Sequence, residues 1–422
     1  MRCRVLVAFV IGGVLGVLPA GEVDPASVAP AMSVAFATQS DAVRDAEYWL
    51  DDYGIRDAWT VTRGAGVTIA VIDTGVGSPP DLDGVVVGGT DLSGSGSADG
   101  RTPVGANSGH GTLVASLAAG RGTGEETGVI GSAPEASVLA VSIGFDADSD
   151  QQIADAVRWS VDHGADIINM SLTRNTLDWP ESWDDAFSYA AEHEVVVVAA
   201  TGNRGSGTEE VGAPATMPGV LTVAGVDRAG ASSRTATAQG VTIGVSAPSE
   251  SLVGVMPDGA YVLWNGTSGA TPIVAGVVAL VKAAHPELDA ANLINRVTAT
   301  AHDTGVVGPD VTYGFGLLDA YAAVTAEVPS VDANPMGDLA EWIRVNRRQE
   351  SAGASADLAP APVDLSPPTR EREFDPVGVL LPSPTLLSRV GAPLLGALVV
   401  TFVIVGFVVG AARSYRRGSR TR

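Results

Sequence analysis

The sequence predicts an α/β fold of three layers, with a mostly parallel central sheet covered by helices on both faces. Two observations carry this expectation. Five β-branched runs of buried-strand length, Val67–Ile72, Val138–Ile143, Asp166–Met170, Val195–Ala199 and Val220–Val223, are almost continuously apolar, as strands covered on both faces must be. Between or after them, Gln151–His163, Glu181–Glu192 and Ser268–Ala284 carry helical spacing, and strands alternating with helices make parallel crossovers. No segment of 20–50 residues recurs, which excludes a solenoid.

In chain order, Arg2 and Arg4 precede an apolar run, Val5–Leu18, too short to span a bilayer. This reads as an export signal within residues 1–29, with Ala20 and Ala29 as alternative cleavage points. Residues 30–46 form an N-terminal extension, and Asp41–Thr62 is polar and helix-like around Tyr48–Tyr53. Residues 47–326 form one globular domain. Past Pro329 the composition changes to a Pro- and Ala-rich linker, residues 327–389, in which Asp332–Arg348 reads as one helix. Val390–Ala412 then runs 23 residues without a charge. At about 1.5 Å per residue it spans the roughly 30 Å hydrocarbon core of a bilayer. Five arginines follow within the tail, residues 413–422, and the positive-inside rule keeps that end cytoplasmic. The expected location is therefore the cell membrane, single-pass, with the globular domain outside the cytoplasm.

The net charge is −23, with 25 basic and 48 acidic residues, which argues against a nucleic-acid partner because phosphate binding needs clustered Lys and Arg. The one cysteine, Cys3, lies in the signal, so neither disulfides nor thiolate chemistry is expected in the mature chain. Acidic loops such as Asp146–Asp150 have no metal-ligand spacing, and no metal or other cofactor is expected.

Four residues are candidates for chemistry. Asp73 ends an apolar strand in Val-Thr-Ile-Ala-Val-Ile-Asp-Thr-Gly, at the carboxyl edge of the sheet where open α/β sheets form clefts. His110 opens an apolar helical pattern in Asn-Ser-Gly-His-Gly-Thr, and Gly109 and Gly111 permit close backbone approach on both sides. His163, His193, His285 and His302 lack such flanks and read as bystanders. Ser268 lies at the start of a long apolar helix in Asn-Gly-Thr-Ser-Gly-Ala-Thr-Pro, where a plain N-cap is the bland reading and Pro272 is expected within the first turn. Asn203 follows the strand Val-Val-Val-Val-Ala-Ala-Thr-Gly-Asn, placed either to close a turn or to donate to a developing oxyanion.

Taken in the order Asp, His, Asn, Ser, these strings resemble the active-site signatures of the subtilases, and the resemblance runs from about Trp49 to Ala326. It implies a subtilisin-like fold and a serine endopeptidase acting on protein or peptide substrates. It further implies Ser268 as nucleophile, His110 as general base, Asp73 as its orienting partner and Asn203 as oxyanion donor, with extended substrate pairing along Ser171, Leu172 and Thr173. Thr173 stands where the family commonly has glycine. The α/β-hydrolase elbow would need glycine at position 270, where Ala270 stands. The short extension, Pro-rich stalk, terminal span and basic tail together resemble the mycosins, proteases tied to type VII secretion, and imply association with such a complex. A scaffolding subunit of a membrane secretion complex, with proteolysis secondary, is the alternative reading. Asp41–Thr62 is expected to brace the domain.

Overall fold

The computed structural model describes residues 41–124, 126–145 and 149–355, with side chains as far as Arg347. The signal (1–29), residues 30–40 of the extension, the linker past Ser355, the apolar segment 390–412 and the tail 413–422 lie outside the described residues, as do Asp146–Asp148 of the acidic loop.

Seven strands make the central sheet: β1 (Thr68–Asp73), β2 (Val86–Asp91), β3 (Ser137–Ser142), β4 (Ile167–Met170), β5 (Val196–Ala200), β6 (Leu221–Val226) and β7 (Ile243–Pro248). All neighbours are parallel, in the order β2-β3-β1-β4-β5-β6-β7. The near-continuous apolar runs follow from burial on both faces. In β1, Ile69 and Val71 enter one core and Ala70 and Ile72 the other, and all four are fully buried. β2, with its glycine pair at 88 and 89, and β7, with Ser246 and Pro248, lack such runs and are not anticipated from the sequence. Neither is the antiparallel hairpin of β8 (Leu252–Val255) and β9 (Tyr261–Trp264).

The helices are α1 (Ala42–Ala46), α2 (Trp49–Asp52), α3 (Ile55–Ala58), α4 (His110–Ala119), α5 (Ser149–Asp162), α6 (Glu181–Glu192), α7 (Thr267–Ala284), α8 (Ala290–Ala299), α9 (Ala320–Thr325) and α10 (Leu339–Ser355). α4 and α7 cover one face of the sheet, and α5 and α6 cover the other. α7 is long and apolar enough to cross a membrane by length and composition, but its apolar residues are buried in the core. Ile273, Val274, Val277, Val278, Leu280 and Val281 are all fully buried, each contributing about 1.5–3 kcal/mol relative to exposure. A charge at any of them would have to be desolvated without a partner.

The Asp41–Thr62 arm packs on the domain, and Gly54, at φ +68°, divides its helical stretch into α2 and α3. Trp49, Leu50, Ile55 and Ala58 are fully buried. Tyr48 donates its hydroxyl to the Glu250 carbonyl at 2.8 Å, and Gly128 N–H donates to the Asp41 carboxylate at 2.8 Å. The last residues of the expected extension therefore belong to the packed body.

At the other end, the helix expected from Asp332 begins at Leu339 instead. Pro335 disfavours helical geometry in the residue before it, and Gly337 takes φ +98° in a turn. This segment is more than a linker. Trp342 lies 4.4 Å from Trp179 between ring centres, and Arg347 donates to Asp184 at 2.8 Å, so α10 is held against α6.

Candidate active site

Asp73 is the last residue of β1, and His110 the first of α4, so the sheet edge faces the start of a helix. The His110 Nδ1 lies 2.8 Å from Oδ1 and 2.9 Å from Oδ2 of Asp73, whose side chain is fully buried. The carboxylate accepts, so Nδ1 carries the proton and Nε2 keeps its lone pair. Burial alone pushes the imidazole pKa down, but the charge and hydrogen bond of Asp73 outweigh it and the net shift is upward. Of the two flanking glycines, Gly111 is the one that backbone packing requires. A Cβ at Gly111 would lie 2.3 Å from the Gly75 carbonyl oxygen, and one at Gly109 would lie 2.5 Å from Met256 Cε.

Ser268 occupies the second position of α7, and Gly266 is the N-cap, so the capping reading of the serine does not hold. Its N–H finds no acceptor among the described residues, being one of the orphan donors of a helix N-terminus. Pro272 sits beyond the first turn, contrary to expectation, and has no N–H to give the Ser268 carbonyl. The Ser171 hydroxyl supplies that hydrogen bond at 2.8 Å, while Asn169 Nδ2 donates to the same hydroxyl at 3.0 Å. The Ser268 hydroxyl in turn donates to the Ser171 carbonyl at 3.2 Å and makes no hydrogen bond to His110 in this rotamer. Such bonds are commonly formed only when substrate is bound.

Asn203 follows β5, and its Oδ1 accepts from Thr267 N–H at 2.8 Å and from the Thr267 hydroxyl at 3.0 Å. With the oxygen engaged twice, the Nδ2 donor is left for a ligand. A Cβ at Gly266 would come within 3.3 Å of that Nδ2, and the φ of +146° there suits glycine alone.

Ser171, Leu172 and Thr173 continue β4 and line, with His110, a cleft of about 730 Å³. Its other walls include Asn107, which opens the His110 string, and Val104 and Phe145, which sequence reasoning missed because no chemical motif marks them. The backbone groups of Leu172 and Thr173 make no backbone hydrogen bond among the described residues, so they are open to an added strand. Trp264, also unanticipated, sets its ring 5.9 Å from His110, edge-on. The bystander histidines stay apart: His163 stacks on Trp159 and His193 lies against Tyr189. Among the described residues no cluster of His, Cys, Asp or Glu is set to hold a metal, and Asp150 of the acidic loop is paired with Arg174.

The model of the subtilase family matches residues 64–316. Thermitase of Thermoactinomyces vulgaris is 36% identical over 270 residues, covering 63% of this chain and 91% of that protein. Subtilisin E of Bacillus subtilis (strain 168) is 36% identical over 265 residues, covering 62% of this chain and 66% of that protein. Among solved structures, MycP1 from Mycobacterium smegmatis aligns with a TM-score of 0.59 at 30% identity, covering 69% of this chain and 86% of that one. The MycP3 protease from the type VII (ESX-3) secretion system aligns with a TM-score of 0.58 at 33% identity, covering 66% and 88%.

Proposed function

The chain belongs to the subtilase family of serine endopeptidases, and from that premise we propose that it is a membrane-anchored protease working outside the cytoplasm beside a protein-secretion complex. The observation that supports the catalytic part most is the Asp73 carboxylate on His110 Nδ1, which leaves Nε2 as the basic nitrogen. In this reading the Ser268 hydroxyl leaves the Ser171 carbonyl for Nε2 and attacks the scissile carbonyl carbon as His110 takes its proton. Asn203 Nδ2 and the Ser268 N–H donate to the resulting oxyanion, and the buried Asp73 balances the imidazolium. His110 then protonates the departing amine. The acyl group left on Ser268 Oγ is released by water, which His110 deprotonates in turn.

An extended substrate pairs with the open backbone of Ser171, Leu172 and Thr173. The charge-free run 390–412 and the arginines behind it support the anchor and its orientation. The likeness to MycP1 and MycP3 supports the association with secretion.

The test is labelling of the full-length, detergent-solubilised chain with an alkyl fluorophosphonate, beside Ser268→Ala. Labelling of the wild type alone is expected. A folded wild type that resists the probe would overturn the catalytic reading and favour a scaffolding subunit.

A further inference from the structure

Residues 171–180 join β4 to α6 and form neither helix nor strand, so contacts with other elements set their position. The segment begins as the strand proposed to pair with substrate, and α10 holds its far end. There, Trp179 is buried, and its indole N–H donates to Asp184 Oδ1 at 2.6 Å. The Trp179 carbonyl accepts from Arg347 Nη2 at 2.9 Å, and Arg347 Nε donates to Asp184 Oδ2 at 2.8 Å. One guanidinium fork thus joins both partners. The Trp342 ring lies 4.4 Å from that of Trp179, and the guanidinium carbon of Arg347 stands 5.4 Å from the Trp342 centre and 5.9 Å from the Trp179 centre.

The first turn of α6 reaches back to the start of the segment. Trp183, next to Asp184, is fully buried and donates its indole N–H to the Asp150 carbonyl at 2.8 Å. The Arg174 guanidinium, one residue past Thr173, lies 5.6 Å from the Trp183 ring centre and pairs with the Asp150 carboxylate. Leu172, Trp179, Trp183 and Leu339 belong to one apolar core, against which Trp342 and Ile343 pack. Arg174 and Arg347 therefore meet successive residues of one helical turn, and both ends of the segment answer to it.

We propose that Arg347 is a positioning residue for substrate: from α10 it fixes Trp179 and Asp184, and through them the strand 171–173 on which an extended peptide pairs. The inference rests on the catalytic reading above and goes beyond it by giving α10 a part in binding. α10 lies outside residues 64–316, so the family match assigns it no role. In sequence it is also the element from which the chain continues toward the run 390–412, so peptide binding and the proposed anchor meet on one helix. Truncating Arg347 strips a buried carboxylate of its charged partner and frees the Trp179 carbonyl. The 171–180 segment then samples more conformations, and ordering it on a peptide costs more.

The experiment uses the full-length, detergent-solubilised chain and three serine-directed probes. An alkyl fluorophosphonate carries no peptide and reports on the nucleophile alone. Two diphenyl phosphonates share an Ala side chain on the carbon bearing phosphorus and differ only in length. One carries three further alanines ahead of that carbon, the other an acetyl cap. In each, Ser268 Oγ bonds to phosphorus and phenoxide departs. The longer compound can pair along 171–173 and is expected to inactivate the wild type at least about tenfold faster, the scale of two net hydrogen bonds. Arg347→Ala should shrink that advantage about three- to tenfold, while the alkyl rate stays near its wild-type value. Arg347→Lys keeps the charge without the fork and should fall between, which guards against an alanine variant that fails to fold. A merely structural loss would instead lower all three rates together. Such a common drop, an unchanged advantage in both variants, or a wild type that gains nothing from the longer chain would each overturn the inference while leaving the nucleophile intact. Absence of alkyl labelling in the wild type would remove the catalytic reading, and this inference with it.

Discussion

The hydroxyl of Ser171 donates to the carbonyl of Ser268 at 2.8 Å, supplying the hydrogen bond that Pro272 withholds from the first turn of α7. Asn169 donates into the same hydroxyl and so fixes the direction of its proton. The backbone that carries the proposed nucleophile is thus tied to the strand segment proposed to bind substrate.

Ser171→Ala should therefore lower kcat about tenfold with little change in KM, and cost about 1 kcal/mol of stability for the lost bond. Steady-state kinetics on a peptide substrate, with denaturant melts, check this. An unchanged kcat would show that the serine backbone is held without Ser171.

Thr267 and Asn203 should act as one unit, because Thr267 holds the amide oxygen and thereby aims its Nδ2. Asn203→Ala is expected to lower kcat by about 10²–10³. Thr267→Val keeps the N–H donor and loses the hydroxyl, so a drop of roughly three- to tenfold is expected. In the double variant the Thr267 change should cost almost nothing more. Additive losses in that cycle would mean that Thr267 acts elsewhere.

The raised pKa of His110 sets an expected pH profile. The proposed base works only when neutral, so kcat/KM should fall as pH drops through a midpoint above the ordinary histidine value of about 6.5. The linked stability has the opposite sense. The protonated pair stabilises the fold fully below the unfolded value, and this contribution is lost as pH rises through the raised folded value. Asp73→Asn should move the activity midpoint down and reduce kcat by about 10⁴. A midpoint that stays in place in Asp73→Asn would refute the electrostatic role.

Glu47 gives a second pH dependence, remote from the cleft. Only 1% exposed, its carboxyl is pushed up to about 8 by burial, against the opposing pull of the Ile130 N–H at 2.6 Å and of Arg44. The folded state then binds more protons than the unfolded state between about 4.5 and 8, so stability falls as pH rises across that window. Glu47→Gln should melt near the wild type at pH 5 and above it at pH 8. Melting curves in which the variant is worse at pH 8 would show that Glu47 is held ionised by Arg44.

Much of the site was legible in the chain because its parts are local. Asp73 ends a strand whose apolar run announces it, His110 is followed by Gly111, whose close backbone approach only glycine allows, and Ser268 rides a helix whose pattern is unmistakable. Trp264 and Phe145 carried no such signal, and Thr267 stood within the Ser268 string without its bond to Asn203 being legible, since each matters through a neighbour distant in sequence. The edge strand β2 and strand β7 escaped for a related reason. Glycine, serine and proline within them weaken the β-branched pattern, and pairing with β3 and β6 completes what local preference leaves open.

By itself the sequence determined the layered α/β architecture, the order of the four candidate residues, and the apolar segment near the C-terminus, because periodicity and short motifs are properties of neighbouring residues. Only the tertiary structure decided that α10 returns to α6 through Arg347 and Asp184, and that Ser171 replaces the donor missing at Pro272. Those outcomes depend on which groups meet across the sheet, where hydrogen-bond partners must be found for buried polar atoms and where space, once occupied, excludes everything else.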